Sequence, residues 1–273
     1  PAHSHRRKEY FLDLDGATTV GRVTLALKSH QGGISNGWFN WIGLENTQLL
    51  KRHLASISYF DGHWDSHLVP DTQDFSPAFT PSYGIIISKD DLLSLREQDN
   101  FSAMTGPEST LYQQAEKAKT LPPEKMIGDF VKFWEDTRYC RDRDYDKTLL
   151  RYGTAAASLG ILTKDKELLR LSARYALSLA MCTYWNDGFI CEFPGSNFRH
   201  MAFVQSLVCH EIATILDLAG EFFTSKGKNF LLRRLAEEGI GKINHTTWKD
   251  RYIFRCNQLS WISPGRIYAY GVL

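Results

Sequence analysis

The chain has 273 residues, with 32 basic and 31 acidic side chains, a formal net charge of +1 and 43% hydrophobic residues. This composition is typical of a globular protein, and the length allows one large domain or two ordinary ones. The balanced charge gives no global field for nucleic acid, and no apolar run reaches the length of a membrane-spanning helix.

The aromatic content is high, at 13% of the residues. Aromatic side chains at this density fill hydrophobic cores. They also line sugar-binding grooves, since their apolar faces match the C–H faces of pyranose rings. The five cysteines lack C-x-x-C spacing, so they are predicted to be buried free thiols and not zinc ligands. The sequence predicts neither a metal site nor a cofactor.

Residues 1–69 have the pattern of a β-rich region. Apolar and polar side chains alternate in residues 10–14 (YFLDL), and residues 20–27 place alternate apolar side chains on one face. Residues 38–44 (WFNWIGL) indicate a further strand, and glycine clusters between these segments mark turns. We therefore predict a small, sandwich-like antiparallel β region that lacks its first strands.

Residues 70–84 contain three prolines among polar side chains and are predicted to be a linker. Residues 83–87 (YGIII) follow as a short buried strand or extended segment. Ser88 then caps a helix predicted over 89–98. The leucines of this helix that we expect to face inward are Leu92, Leu93 and Leu95.

The rest of the chain has helical periodicity, with apolar side chains three and four residues apart. Helices are predicted over 107–120, 122–139, 144–160, 166–183, 199–223, 226–240 and from about 263 onward. Broad apolar faces joined by short breaks favour antiparallel helical hairpins arranged around an axis. The predicted class is α+β, mostly α, with an incomplete α/α toroid over 85–273 following the β region.

Both ends of the chain indicate a piece of a longer protein. The first residue is Pro1 and not Met, and the apolar run that reaches Leu273 has no helix-ending residue after it. We therefore expect any functional site to be incomplete.

Residues 85–273 resemble the N-terminal part of the catalytic helical domain of the heparinase II/III-like polysaccharide lyases. The passages that carry this resemblance are 88–97 (SKDDLLSLRE), 154–185, 197–220 and the Cys-Asn-Gln-Leu-Ser-Trp element at 256–261. The resemblance implies an extracytoplasmic protein, periplasmic or secreted, whose partner is an anionic, heparin-like or alginate-like polysaccharide. It says nothing of the oligomeric state.

Such lyases cleave uronic-acid polysaccharides by β-elimination. A neutral amide or imidazole that hydrogen-bonds the uronate carboxylate spreads the charge that develops when the C5 proton leaves, and a Tyr or His removes that proton. The resemblance makes Asn257 the carboxylate-binding catalytic residue, although it could equally shape only the start of a helix. It also places the base and the acid beyond Leu273, so we expect little activity from this chain.

Five further residues are candidates for substrate binding. Arg199, which could pair a carboxylate or sulfate bidentately, lies with His200 and Glu192 near the start of a predicted helix. A surface salt bridge is favoured over substrate binding here. Trp261 and Trp185 could stack on sugar rings or pack in the core.

His210 and Glu211 lie in the middle of an apolar helix, where the H-E-x-x-H zinc spacing fails. We therefore predict that His210 is a core histidine.

Two other functions remain open from the residues. A glycoside hydrolase on the same helical scaffold would need two carboxylates about 5–10 Å apart across a cleft, for which Glu192 and Asp187 are available. A non-catalytic carbohydrate-binding protein would need only exposed aromatic and polar groups. Gly-x-Ser-x-Gly, Walker A and G-x-G-x-x-G motifs are absent, so serine-hydrolase, P-loop and Rossmann functions are not supported.

Overall fold

The computed structural model describes residues 22, 24, 62–125, 127, 149–182, 185, 202–249 and 258–273. The chain divides into two compact units, Pro1–Glu45 and Asn46–Leu273. Apart from residues 22 and 24, all of the described residues belong to the second unit.

Nine α-helices are described, together with one 3-10 turn and one π-helical segment. They are α1 (Lys89–Arg96), α2 (Phe101–Thr105), α3 (Thr110–Thr120), α4 (Leu149–Thr163), α5 (Lys166–Met181), α6 (Phe203–Leu218), the 3-10 turn Gly220–Phe222, α7 (Ser225–Arg234), the π segment Leu235–Ile240, α8 (Gly241–Lys249) and α9 (Gln258–Val272). Within the described ranges, no helix is long and apolar enough to cross a membrane.

The predicted α+β class is wrong for the described part of the chain. Helices make up 68% of these residues, which contain no strand and no sheet. The one β-type pairing described is an isolated antiparallel bridge between Leu68 and Phe223. Most of the predicted β region, 1–69, lies outside the described residues. The described residues establish a mostly helical fold, so the predicted combination of a β region with an α/α toroid is wrong.

Several helix starts follow from local capping. Ser88, Ser109, Asp165 and Thr224 each accept a hydrogen bond from the backbone N–H three residues later. Such caps satisfy one of the four unpaired N–H groups at a helix start. The cap that the sequence predicts at Ser88 is therefore confirmed.

Three predicted boundaries and one orientation are wrong. Helix α4 continues past Gly160 to Thr163, and the α7–π–α8 run continues past residue 240 to Lys249. Helix α9 begins at Gln258, five residues before the predicted start. In α1, Leu92 is buried but Leu93 is 45% exposed, because this short helix buries a narrower face than its three leucines suggested.

Gly160 does not end α4 but lies where α4 packs against α5. A Cβ at this position would lie 2.9 Å from Cγ of Leu169, on the next helix. The missing side chain therefore lets α4 and α5 pack closely as an antiparallel hairpin, joined by Lys164 and Asp165. The antiparallel hairpin that the sequence predicts here is present.

Helices α6 and α9 lie side by side and run in the same direction. In the first turn of α6, the Ser206 hydroxyl donates to the Trp261 carbonyl at 2.9 Å and accepts from the Gly265 N–H at 3.2 Å. Further along, the rings of His210 and Tyr268 have centroids 4.3 Å apart. Residue numbers thus rise together along both helices. A Cβ at Gly265 would overlap the Ser206 carbonyl, so only glycine allows this approach.

The segment before α1 is fastened to the end of α6. The Asp217 carboxylate accepts three hydrogen bonds, at 2.7–2.9 Å, from backbone N–H groups of residues 83–86. Glu221 accepts two more from residues 78 and 79, and Arg96 donates to the Phe79 carbonyl and to the end of α4. Residues 83–87, predicted as a short buried strand or extended segment, form no strand, and Ile86 within them is 37% exposed.

Candidate functional site

Four of the six predicted site residues, Asn257, Glu192, Arg199 and His200, lie outside the described residues. The described chain next to Asn257 is Gln258, the first residue of α9. The first turn of α9 contacts the first turn of α6, through the Ser206 hydroxyl and the Trp261 carbonyl. Helix α6 itself begins four residues after Arg199 in the sequence.

Trp185 is completely buried. Its indole N–H donates to the Leu179 carbonyl at 2.8 Å, and its backbone N–H donates to the Glu238 carboxylate at 3.2 Å. The Arg234 guanidinium covers its ring at 5.3 Å from the centroid. A ring in this position offers no open face for a sugar.

Trp261 is 49% exposed on α9. Tyr268 follows seven residues later, so it lies on the same flank of the helix, about 10 Å further along the axis. The exposed indole has the apolar face that stacking on a pyranose requires. Its role in substrate binding stays a prediction.

The outward face of α6 lies between α4 and α9. It carries Leu207, which is 44% exposed, and His210, which is partly exposed. Tyr268 and Trp261 border it from α9, and Arg151, an exposed residue of α4, borders it from the other side. We call these five residues the His210 face.

The environment of His210 favours a neutral imidazole. Burial lowers the pKa of His210 below its ordinary value of 6.5, and the positive charge of Arg151 lowers it further. His210 was predicted to lie in the core because the sequence around it is apolar. Its side chain is partly exposed, so it does not lie entirely in the core. A neutral imidazole beside the Tyr268 ring can hydrogen-bond an anionic group without carrying charge itself.

A second polar group lies one turn further along the same side of α6. The Thr214 hydroxyl is buried, and among the described residues it has no hydrogen-bond partner. A buried polar atom left unpaired costs free energy, and such atoms in native structures are unusual enough to mark a region of interest. No pattern in the sequence points to this hydroxyl, since threonine in an apolar helix is common.

Glu211 points to the other side of α6, toward α4. It is fully buried, and its carboxyl group is hydrogen-bonded to the Thr154 backbone N–H at 2.8 Å and to the Thr154 hydroxyl. Burial raises the pKa of Glu211 to about 8, against the opposing effect of these bonds and of Arg151. The carboxyl group is therefore mostly protonated at neutral pH. It cannot be the exposed acid of a glycoside hydrolase, because it has no access to substrate.

The other carboxylates that are central to the described packing already have protein partners. Asp217 and Glu221 hold the segment before α1, and Glu124 receives two charge-assisted bonds from Arg174 and one from the Trp64 indole. Within the described ranges, no group of three or more His, Cys, Asp or Glu side chains is placed to hold a metal ion.

The cysteine prediction is confirmed for Cys182 and Cys209, which are buried free thiols. Burial raises the pKa of both thiols well above the ordinary value, so neither is a reactive nucleophile at neutral pH.

A surface depression of about 460 Å³, lined by none of the five residues of the His210 face, lies between α3 and α5. Lys119, Arg170 and Arg174 are among its lining residues, with Glu167 as the acidic member. Lys119 pairs with Glu116 and Arg174 with Glu124, so most of this positive charge is already compensated.

In comparisons with known proteins, the chain matches no family model, no curated protein and no solved structure.

Proposed function

We propose that this chain is part of a polysaccharide lyase and that its His210 face binds the carboxylate of a uronic-acid-containing glycan. The observation that carries the proposal is the partly exposed His210, kept neutral by burial and by Arg151, with its ring against Tyr268. The resemblance of residues 85–273 to heparinase II/III-like lyases supplies the reaction class.

Binding at this face answers the main difficulty of β-elimination. Removal of the C5 proton leaves electrons that must spread into the neighbouring carboxylate, and that carboxylate is already negative. The Arg151 cation attracts the carboxylate, and the neutral His210 imidazole donates a hydrogen bond that strengthens as charge builds up. The pair of electrons then forms the C4–C5 double bond, and the glycosidic oxygen leaves C4 with a proton from an acid.

Trp261 extends the face along the glycan. Its exposed indole lies two helical turns from Tyr268 on the same flank of α9. An aromatic face at this spacing suits a sugar ring next to the one held at His210. Asn257, joined directly to the first residue of α9, keeps its proposed role as a second carboxylate-binding group.

We assign carboxylate binding, and not proton abstraction, to the His210 face. The resemblance assigns the base and the acid to residues outside it. We therefore expect this chain to bind the glycan and to form little unsaturated product, which is detected directly by its ultraviolet absorbance.

The test is calorimetric binding of alginate and heparin oligosaccharides to the full chain. Arg151→Gln, His210→Ala and Trp261→Ala should each weaken binding roughly tenfold or more, as expected for loss of a central contact. His245→Ala, at an exposed histidine of α8, is the matched control and should bind normally. Equal binding by all four variants, or equally tight binding of a neutral dextran oligosaccharide, would contradict the proposal.

A further inference from the structure

Pro264 interrupts helix α9 between the two aromatic residues that border the His210 face. Trp261 lies on the N-terminal side of this proline and Tyr268 on its C-terminal side. Proline has no N–H, so α9 lacks one of its i→i−4 hydrogen bonds at this turn, and a proline inside a helix favours a kink. The hydrogen bonds within α9 therefore hold its first turn, which carries Trp261, less firmly than in an uninterrupted helix.

The Ser206 hydroxyl contacts α9 at this interrupted turn. Its oxygen lies 2.9 Å from the Trp261 carbonyl oxygen and 3.1 Å from that of Ile262, and it accepts a hydrogen bond from the Gly265 N–H at 3.2 Å. Ser206 itself is buried. One side chain of α6 thus binds backbone groups of α9 on both sides of Pro264.

Close packing fixes the register of this contact. A Cβ at Gly265 would overlap the Ser206 carbonyl, so the two backbones touch here. His210 follows Ser206 by four residues and lies on the same side of α6, and its ring centroid is 4.3 Å from that of Tyr268. One side of α6 therefore holds α9 at two levels, and Ser206 is the contact at the level of the first turn.

Resting on the function proposed above, we propose that Ser206 is a positioning residue: its hydroxyl joins the two parts of α9 across Pro264 and so fixes the Trp261 ring where it stacks on the glycan. Without the hydroxyl, the buried Ile262 would still pack against the core, but the first turn would lose its hydrogen bonds to α6. The Trp261 indole would then sample several positions, and ordering it on binding would cost affinity.

The first test measures the affinity of the full chain for an alginate oligosaccharide by calorimetry. Ser206→Ala should weaken binding roughly fivefold, the cost of ordering one mobile side chain. In the Trp261→Ala background, Ser206→Ala should cause no further loss, because the residue that it positions is already gone. Ser172→Ala is the matched control, since it removes a buried serine hydroxyl of α5 that donates to the Leu169 carbonyl of its own helix. This control should bind normally.

A second measurement needs no glycan. With fluorotryptophan incorporated, the fluorine resonance of Trp261 is assigned from its absence in Trp261→Phe. This resonance should shift and broaden in Ser206→Ala and stay unchanged in Ser172→Ala. Replacing the exposed Pro264 by alanine restores the missing N–H of α9. In the Pro264→Ala background, Ser206→Ala should therefore change the Trp261 resonance much less.

The two measurements separate this inference from the proposed function. If no oligosaccharide binds but the resonance follows this pattern, Ser206 positions Trp261 and the proposed function fails. If the oligosaccharide binds but Ser206→Ala leaves the Trp261 resonance unchanged, or changes it equally with and without Pro264, the positioning role is overturned. A further loss of affinity in the Trp261→Ala background would also overturn it. Circular dichroism confirms that each sample is folded, and Ser206→Cys, whose thiol is a weak donor and acceptor, replaces Ser206→Ala if that variant does not fold.

Discussion

The Asp217 carboxylate, near the end of α6, accepts a 2.7 Å hydrogen bond from the backbone N–H of Tyr83, 134 positions away in the sequence. The same carboxylate binds two further N–H groups of residues 84–86. One side chain thereby organises a stretch that has no regular secondary structure of its own. Hydrogen bonds to a charged group contribute more than neutral ones.

Asp217→Ala should lower the free energy of unfolding by about 3 kcal/mol or more, because three backbone donors lose their common acceptor. Urea denaturation measures this loss. Asp74→Ala, at an exposed aspartate of the same region, should change stability by less than about 0.5 kcal/mol. Similar, small effects for both variants would show that the segment is held mainly by other contacts.

Glu211 should make the stability of the protein fall as the pH rises. The pKa of this carboxyl group is raised from 4.5 to about 8 in the folded protein, so between these values the folded state holds a proton that the unfolded state has lost. Folding is therefore progressively disfavoured from pH 4.5 to pH 8, and the effect levels off above that.

Glu211→Gln should accordingly gain stability relative to the unsubstituted chain as the pH rises through this window, by a few kcal/mol in total at about 1.4 kcal/mol per unit of pH. Denaturation curves at several pH values measure the difference. A gap between the two proteins that does not change from pH 5 to pH 8 would show that Glu211 is ionised throughout.

Gly265→Ala should separate α6 from α9. The added Cβ would overlap the carbonyl of Ser206, so the helices must move apart, with an expected loss above about 3 kcal/mol. Gly62→Ala is the comparison, because a Cβ there has open space and meets only the cost of a positive φ of 94°, about 1 kcal/mol. Equal losses for the two would contradict the close contact described.

Asn257→Ala tests the residue that the sequence favoured as catalytic. On the proposed lyase function, this substitution should lower turnover roughly 10²–10³-fold, with a much smaller effect on substrate binding, because the amide contact strengthens in the transition state. Near-normal turnover at saturating glycan would leave Asn257 with only a role at the start of α9.

The sequence alone determined the positions of most of the described helices. Apolar side chains three and four residues apart and a cap such as Ser88 act within one or two turns, so α1, α3 and α5 were predicted to within a few residues. The same local signals wrongly predicted that α4 ends at Gly160. A glycine that ends a helix and a glycine that lets a neighbouring helix pack closely look alike in sequence.

Only the tertiary structure decided which side chains face solvent and which face one another. His210 was predicted to be in the core because apolar residues surround it in sequence, but α4 and α9 leave its side of α6 partly open. The hydrogen-bond partners of the Asp217 carboxylate lie at least 131 positions away in the sequence, and Thr154, the partner of Glu211, lies 57 positions away. Burial, pairing and pKa depend on chain segments far apart in sequence, and no local period encodes those contacts.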